Sequence, residues 1–134
     1  TGSLFVDEQG SAESGPSTIG NLVAGETRGT GDATVSGSGS VWKVGSLGVG
    51  DAGTGTLTIA DGGSVSGTTA NIGNSSGGIG TAFVTGFNSK WESTADLTVG
   101  VNGDGTLKVD DGGFVSSVNG VVGSASGAEG DAAG

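Results

Sequence analysis

Asp32, Asp51, Asp61, Asp96, Asp104, Asp110 and Asp111 are the side chains in this sequence whose type suits acid–base work. Two carboxylates facing each other across a groove are enough to hydrolyse a glycosidic bond. These seven are scattered beside turn residues, and the only cationic side chains near any of them are Arg28, Lys43, Lys90 and Lys108. No aromatic sugar platform accompanies them, so they read as turn formers and solvated charges. His, Cys, Met and Tyr are all absent. That removes imidazole bases, thiolate nucleophiles, disulfides and the usual zinc ligand sets, and with only those four cations a lyase base is hard to nominate. The expectation is a non-enzyme with no catalytic residues.

Other motifs resolve in the same direction. Asn102-Gly103-Asp104-Gly105 resembles part of a calcium loop but lacks the leading Asp and the distal bidentate Glu, so it reads as a turn. Weak Ca²⁺ binding at acidic corners is the one metal reading left; no cofactor and no built metal site is expected. The glycine-rich run GVGDAGTGT from Gly48 lacks the Gly-Lys-Ser/Thr ending of a phosphate loop. Thr56, Thr81 and Thr106 recur at one phase, but Ser3 and Asp32 share their column, and Phe5, Phe83 and Lys108 interrupt the next, so no flat ice-ordering threonine lattice forms. Trp42 and Trp91 would be sugar-stacking platforms if exposed; their alternation with Ala12, Val65 and Val115 places them in the core instead.

Thirty-two glycines, one proline and a net charge of −10 bound what positions these residues. The charge repels phosphate backbones and anionic headgroups, so nucleic acid is a poor partner. No run approaches the roughly 20 apolar residues of a membrane helix, so no membrane insertion by this segment is expected. Glycine with abundant β-branched residues disfavours helices and suits short strands between turns.

Self-alignment gives the architecture. GTLTIADGGSVS from Gly55 matches GTLKVDDGGFVS from Gly105, and GDATVSGSGSVW from Gly31 matches GTAFVTGFNSKW from Gly80, at spacings of 50 and 49. The two halves of this long repeat resemble each other, giving a unit of about 25 residues. Val6, Val35, Ile59, Val84 and Val109 are equivalent, with a four-residue insertion after Asn21 widening the first spacing. Each unit carries three apolar stretches, and the two-residue period of a strand says which side chains point inward. The first stretch supplies that column and a second one of Leu4, Ala33, Leu57, Ala82 and Leu107. The second stretch supplies Ala12, Trp42, Val65, Trp91 and Val115. The third supplies Leu47 and Val49, Ala70 and Ile72, Leu97 and Val99, with Ile19 and Val122 at the matching place. Gly20, Gly50, Gly73, Gly100 and Gly123 close the units, as corners where a β-carbon would clash.

The predicted fold is therefore all-β, a parallel β-helix of about five rungs with three short strands in each, and the general steric preference for right-handed crossovers agrees with a right-handed coil. Residues 1–134 read as one solenoid segment whose partners are neighbouring rungs or identical subunits. Gly2 and Gly130 share a phase, and no capping rung is visible at either end, so the expectation is excision from a longer array ahead of head-to-tail stacking into a filament.

The succession LGVGDAGTGTLTIADGGSVSG, ANIGNSSGGIGTAFVTGFNSKW and DLTVGVNGDGTLKVDDGGFVS resembles the repeat shared by autotransporter (type V secretion) passenger domains and PEP-CTERM-associated surface proteins. The resemblance covers nearly the whole chain and weakens at Asp7-Glu8-Gln9-Gly10, where Asp-Gly-Gly is the pattern, so a less regular first rung is expected. It implies a right-handed parallel β-helix, a bacterial extracellular or cell-surface location, a structural or adhesive role, host or matrix glycans or proteins as partners, and no catalytic residues. Three function classes stay open: a stalk or adhesive passenger, a filament subunit, and a polysaccharide-binding or cleaving module.

Overall fold

The computed structural model describes residues 2–20 and 29–123. All regular structure among them is β, in fifteen strands that repeat in threes. The first rung is β1 (Gly2–Val6), β2 (Ser11–Ser14) and β3 (Ser17–Ile19); the second is β4 (Thr30–Ser36), β5 (Val41–Val44) and β6 (Leu47–Val49). The third is β7 (Thr54–Ala60), β8 (Ser64–Gly67) and β9 (Ala70–Ile72), and the fourth β10 (Ile79–Thr85), β11 (Lys90–Ser93) and β12 (Asp96–Val99). The fifth is β13 (Asp104–Asp110), β14 (Phe114–Ser116) and β15 (Asn119–Val122). Equivalent strands stack in parallel into three five-stranded sheets, β1-β4-β7-β10-β13, β2-β5-β8-β11-β14 and β3-β6-β9-β12-β15. This is a parallel β-solenoid of five rungs.

The register follows the sequence repeat. Val6, Val35, Ile59, Val84 and Val109 pair in one line, and Ala12, Trp42, Val65, Trp91 and Val115 in another. In β7, Leu57 and Ile59 point inward and are fully buried while Thr56 and Thr58, which alternate with them, are half-buried. Threonine and isoleucine favour extended backbone, and the strand stops where Asp61 and Gly62 both take positive φ, 51° and 88°. Gly63 N–H closes that turn on the Ala60 carbonyl at 2.9 Å.

Stacking fills the interior from above and below. Leu57, Ile59, Val65, Ile72 and Val84 are sealed completely, and Trp42, Trp91, Leu97 and Val99 nearly so. Val44, absent from the columns read in the sequence, also belongs to this core. The expectation fails at the last described rung. Val109 keeps its register over Val84 but is 43% exposed, Leu107 and Val115 are half-buried, and Val122 is exposed. Each inward side chain is covered by the rung on either side, and the fifth described rung has a neighbour on one side alone.

The five closing glycines, Gly20, Gly50, Gly73, Gly100 and Gly123, all lie at φ between 64° and 73°. At Gly50 a β-carbon would run into the Ile79 carbonyl of the strand that begins two rungs later in the chain, so the corner needs glycine for both conformation and space. The turn of the first rung is regular although its residues depart from Asp-Gly-Gly. Glu8 and Gln9 take φ of 49° and 70°, and Gly10 N–H bonds the Asp7 carbonyl at 2.7 Å, the same turn that Asp61-Gly62 and Asp111-Gly112 make. The insertion after Asn21, Arg28 and Gly130 lie outside the described residues.

Candidate functional site

Asp51, Asp61, Asp96 and Asp111 sit at or beside corners of the solenoid, while Asp32 lies within β4, and the carboxylates that make hydrogen bonds make them mainly between rungs. Ser36 donates to Asp61 at 3.1 Å, Asn74 to Asp51 at 2.9 Å with Ser75 on the same oxygen at 3.3 Å, and Asn119 to Asp96 at 2.8 Å. Each partner lies 23 to 25 residues away, which is one turn of the solenoid. A carboxylate accepting from an amide or hydroxyl in the next rung ties two exposed corners together. Among the described residues no three Asp or Glu side chains gather into a metal-holding group.

The ionisation of Asp110 is perturbed by its neighbours. The Thr85 hydroxyl and the Lys108 ammonium, the latter 3.3 Å from Asp110 Oδ2, hold its carboxyl below the ordinary value, against a small opposing effect of desolvation. The Thr85 hydroxyl stands between two adjacent carboxylates, and it also donates to Asp111 Oδ2 at 3.4 Å. Both acids are at the surface, and Lys108 is 63% exposed, so the arrangement is a solvated ion pair and no pocketed general acid.

The glycine-rich segments use their amides within the fold. Gly53 N–H bonds the Gly20 carbonyl at 3.2 Å and Thr54 N–H that of Gly29 at 3.0 Å, so GVGDAGTGT presents no row of free donors to a phosphate. Asn102, Gly103 and Asp104 likewise donate backbone N–H groups to Asn74, Gly73 and Gly78 of the preceding rung. The Asn102 to Gly105 segment is a corner leading into β13, consistent with its turn reading.

Two surfaces remain that could meet another molecule. One is a cleft of about 350 Å³ at the corner between the first and second sheets, lined by Gly62, Phe87, Asn88, Ser89, Lys90, Gly112 and Phe114. Phe87 is 80% and Phe114 55% exposed, and Phe87 lies beside the Gly112 corner of the next rung. An exposed aromatic pair beside an ammonium and an amide is suited to stacking on a sugar face or an apolar side chain. The sequence reading looked for such a platform at Trp42 and Trp91, which are buried, and passed over the phenylalanines because they stand outside the inward columns. The signal was available: Phe87 stands where the matching turn has Ser38, and Phe114 where β8 has Ser64.

The other surface is the pair of open ends. At the first rung a cavity of about 480 Å³ reaches inward to Trp42 past Leu4, Ala12, Ser14, Ser17 and Ile19. Trp42 Nε1 donates to Ser14 Oγ at 3.0 Å across that space. At the fifth rung the exposed apolar side chains are Val109, Phe114, Val118, Val121 and Val122.

Corner chemistry also gives the rungs two kinds, which alternate. Rungs one, three and five turn through two left-handed residues, Glu8-Gln9, Asp61-Gly62 and Asp111-Gly112. Rungs two and four use Gly37-Ser38-Gly39-Ser40 and Gly86-Phe87-Asn88-Ser89, closed by Ser40 N–H on Gly37 O at 3.0 Å and Ser89 N–H on Gly86 O at 3.1 Å. Ser40 and Ser89 are completely buried. Ser89 Oγ donates to Thr85 O at 2.7 Å and accepts Gly62 N–H at 2.9 Å, and Ser40 Oγ accepts Gln9 N–H at 3.2 Å. The hydroxyl of one kind of rung thus satisfies the strained turn of the other. Comparison of this chain with known protein families, with curated proteins and with solved structures gave no match.

Proposed function

We propose that this chain is a non-catalytic structural segment of a bacterial surface or secreted protein, a stalk of the kind that autotransporter passengers present, with adhesive contacts made at its exposed corners. The observation that carries the reading is the use of its polar side chains: Asp51, Asp61, Asp96, Ser40 and Ser89 bond the adjacent rung, and the interior holds packed apolar side chains. A chain that spends its polar groups on holding rungs together is built to keep length and stiffness. The resemblance of the repeat to passenger and PEP-CTERM-associated sequences supports a place outside the cell. Glycans or matrix proteins meeting the Phe87 and Phe114 corner are the partners we infer.

Two measurements test this. The purified chain, incubated with a panel of plant, bacterial and host polysaccharides, should release neither reducing ends nor unsaturated products; sustained depolymerisation would overturn the non-catalytic reading. Antibody raised against the chain should label intact cells of its source, and the double variant Phe87→Ala, Phe114→Ala should lose binding to immobilised glycans or matrix protein with its β-sheet circular dichroism intact. Labelling only after lysis would remove the surface location.

A second reading, a filament subunit joined end to end, is favoured by the exposed apolar side chains of the fifth rung. Dynamic light scattering over a concentration series separates it from the first, since a filament subunit grows with concentration and a stalk segment does not.

A further inference from the structure

We propose that the outer face of the fifth described rung is a docking surface for a rung of the second kind, with Ala, Trp and Ser at its inward positions, and not for the first rung of another copy. The inference rests on the structural reading above and specifies its partner.

Three alternations meet at this face. In the first column large and small side chains take turns, Leu4, Ala33, Leu57, Ala82 and Leu107, so the next position calls for a small one. In the second column the order is reversed, Ala12, Trp42, Val65, Trp91 and Val115, so the next position calls for an indole. Small against large in one column, with the opposite order in its neighbour, keeps every layer close-packed. The first rung of a second copy would set Leu4 on Leu107 and Ala12 on Val115. That crowds one column and leaves a hole in the other, and both faults destabilise a core.

The third alternation is polar. In each turn of the first kind the acid looks back and the following amide looks forward. Asp61 accepts from Ser36 of the rung before, and Gly62 N–H donates to Ser89 of the rung after. The fifth rung has made the backward half, with Thr85 donating to Asp111. The forward donor is Gly112 N–H, at φ 88° like that of Gly62, and it has no protein partner among the described residues. What it lacks is a serine hydroxyl in the place of Ser40 and Ser89, which a second-kind rung supplies and the first rung, with Gly10 there, does not.

The amino-acid sequence past the face points the same way. Six residues separate Gly73 from Gly80, where the chain passes from a rung of the first kind to one of the second; four separate Gly50 from Gly55 and Gly100 from Gly105, where it passes back. Six separate Gly123 from Gly130, and the residue types Gly130-Asp131-Ala132 repeat those of Gly31-Asp32-Ala33.

The test compares the full chain with three extensions of equal length. In each, residues 1–129 are followed by a copy of residues 80–103 (second kind), of residues 55–78 (first kind), or of residues 80–103 carrying Ser89→Ala in the copy alone. Hydrogen exchange at Gly112 and thermal unfolding are read on all four. The second-kind copy should slow exchange at Gly112 by roughly tenfold or more and raise the unfolding temperature. The serine-lacking copy should keep most of the thermal gain and lose the Gly112 protection, and the first-kind copy should give neither. Equal protection by both kinds of copy, no protection by either, or concentration-dependent fibres of the unextended chain would each overturn the proposal. Polysaccharide cleavage would end the stalk reading while leaving this result standing, so the two fail separately.

Discussion

Ser89 is the residue where a single atom tests the corner mechanism. Ser89→Ala removes a hydroxyl that is fully buried, donates to Thr85 O at 2.7 Å and accepts Gly62 N–H at 2.9 Å. Two neutral hydrogen bonds are lost, each worth about 1 kcal/mol net, and the Gly62 amide is left facing a methyl group. An orphaned donor of this kind adds a desolvation cost, so the whole effect should be about 2 to 3 kcal/mol. Ser40→Ala supplies the internal comparison. Ser40 accepts one longer bond, 3.2 Å, from Gln9 N–H in the outermost rung, and should cost about 1 kcal/mol. Urea unfolding followed by circular dichroism gives both values, and hydrogen exchange at Gly62 and Gln9 localises them, which matters because a repeat array can open rung by rung. Ser89→Ala losing less than about 0.5 kcal/mol, or Ser40→Ala losing more than Ser89→Ala, would refute the reasoning that hydroxyls of one rung hold the turns of the other.

Gly50→Ala places a β-carbon against the Ile79 carbonyl at a φ of 66° and should cost at least about 3 kcal/mol, seen as early loss of the second and third rungs in hydrogen exchange. Trp91→Ala opens the core between Val65 and Val115 and should cost about 3 to 5 kcal/mol by urea unfolding. Gln9→Gly replaces a left-handed glutamine by the residue that Gly62 and Gly112 provide and should stabilise by about 1 kcal/mol, read as a higher urea midpoint. Asp110, held below the ordinary carboxylate value in the folded chain, contributes stability that is present above the unfolded value and lost as pH falls through the lowered one. Asp110→Asn should therefore lower stability slightly at neutral pH, leave it nearly unchanged below the lowered value, and so flatten the acid limb of a stability–pH curve; an unaltered acid limb would contradict the assignment.

The amino-acid sequence by itself determined the rung. The 50-residue repeat, its division into two, the inward columns and the closing glycines are all legible because a solenoid stacks like on like, so each structural position is written once per turn. Trp42 and Trp91 could be placed inside from their alternation with smaller residues alone, since that alternation is a packing rule. Tertiary structure decided the rest. Val109 reads the same as Ile59, yet one is 43% exposed and the other sealed, because burial depends on having a rung on both sides. Glu8-Gln9 departs from the Asp-Gly pattern and still makes the turn, because its amide finds Ser40 in the next rung. Ser40 and Ser89 look like turn residues in the sequence and are buried acceptors in the fold. A hydrogen bond between residues 27 or 31 apart leaves no mark on local composition, so only the stacked chain shows why the rungs alternate.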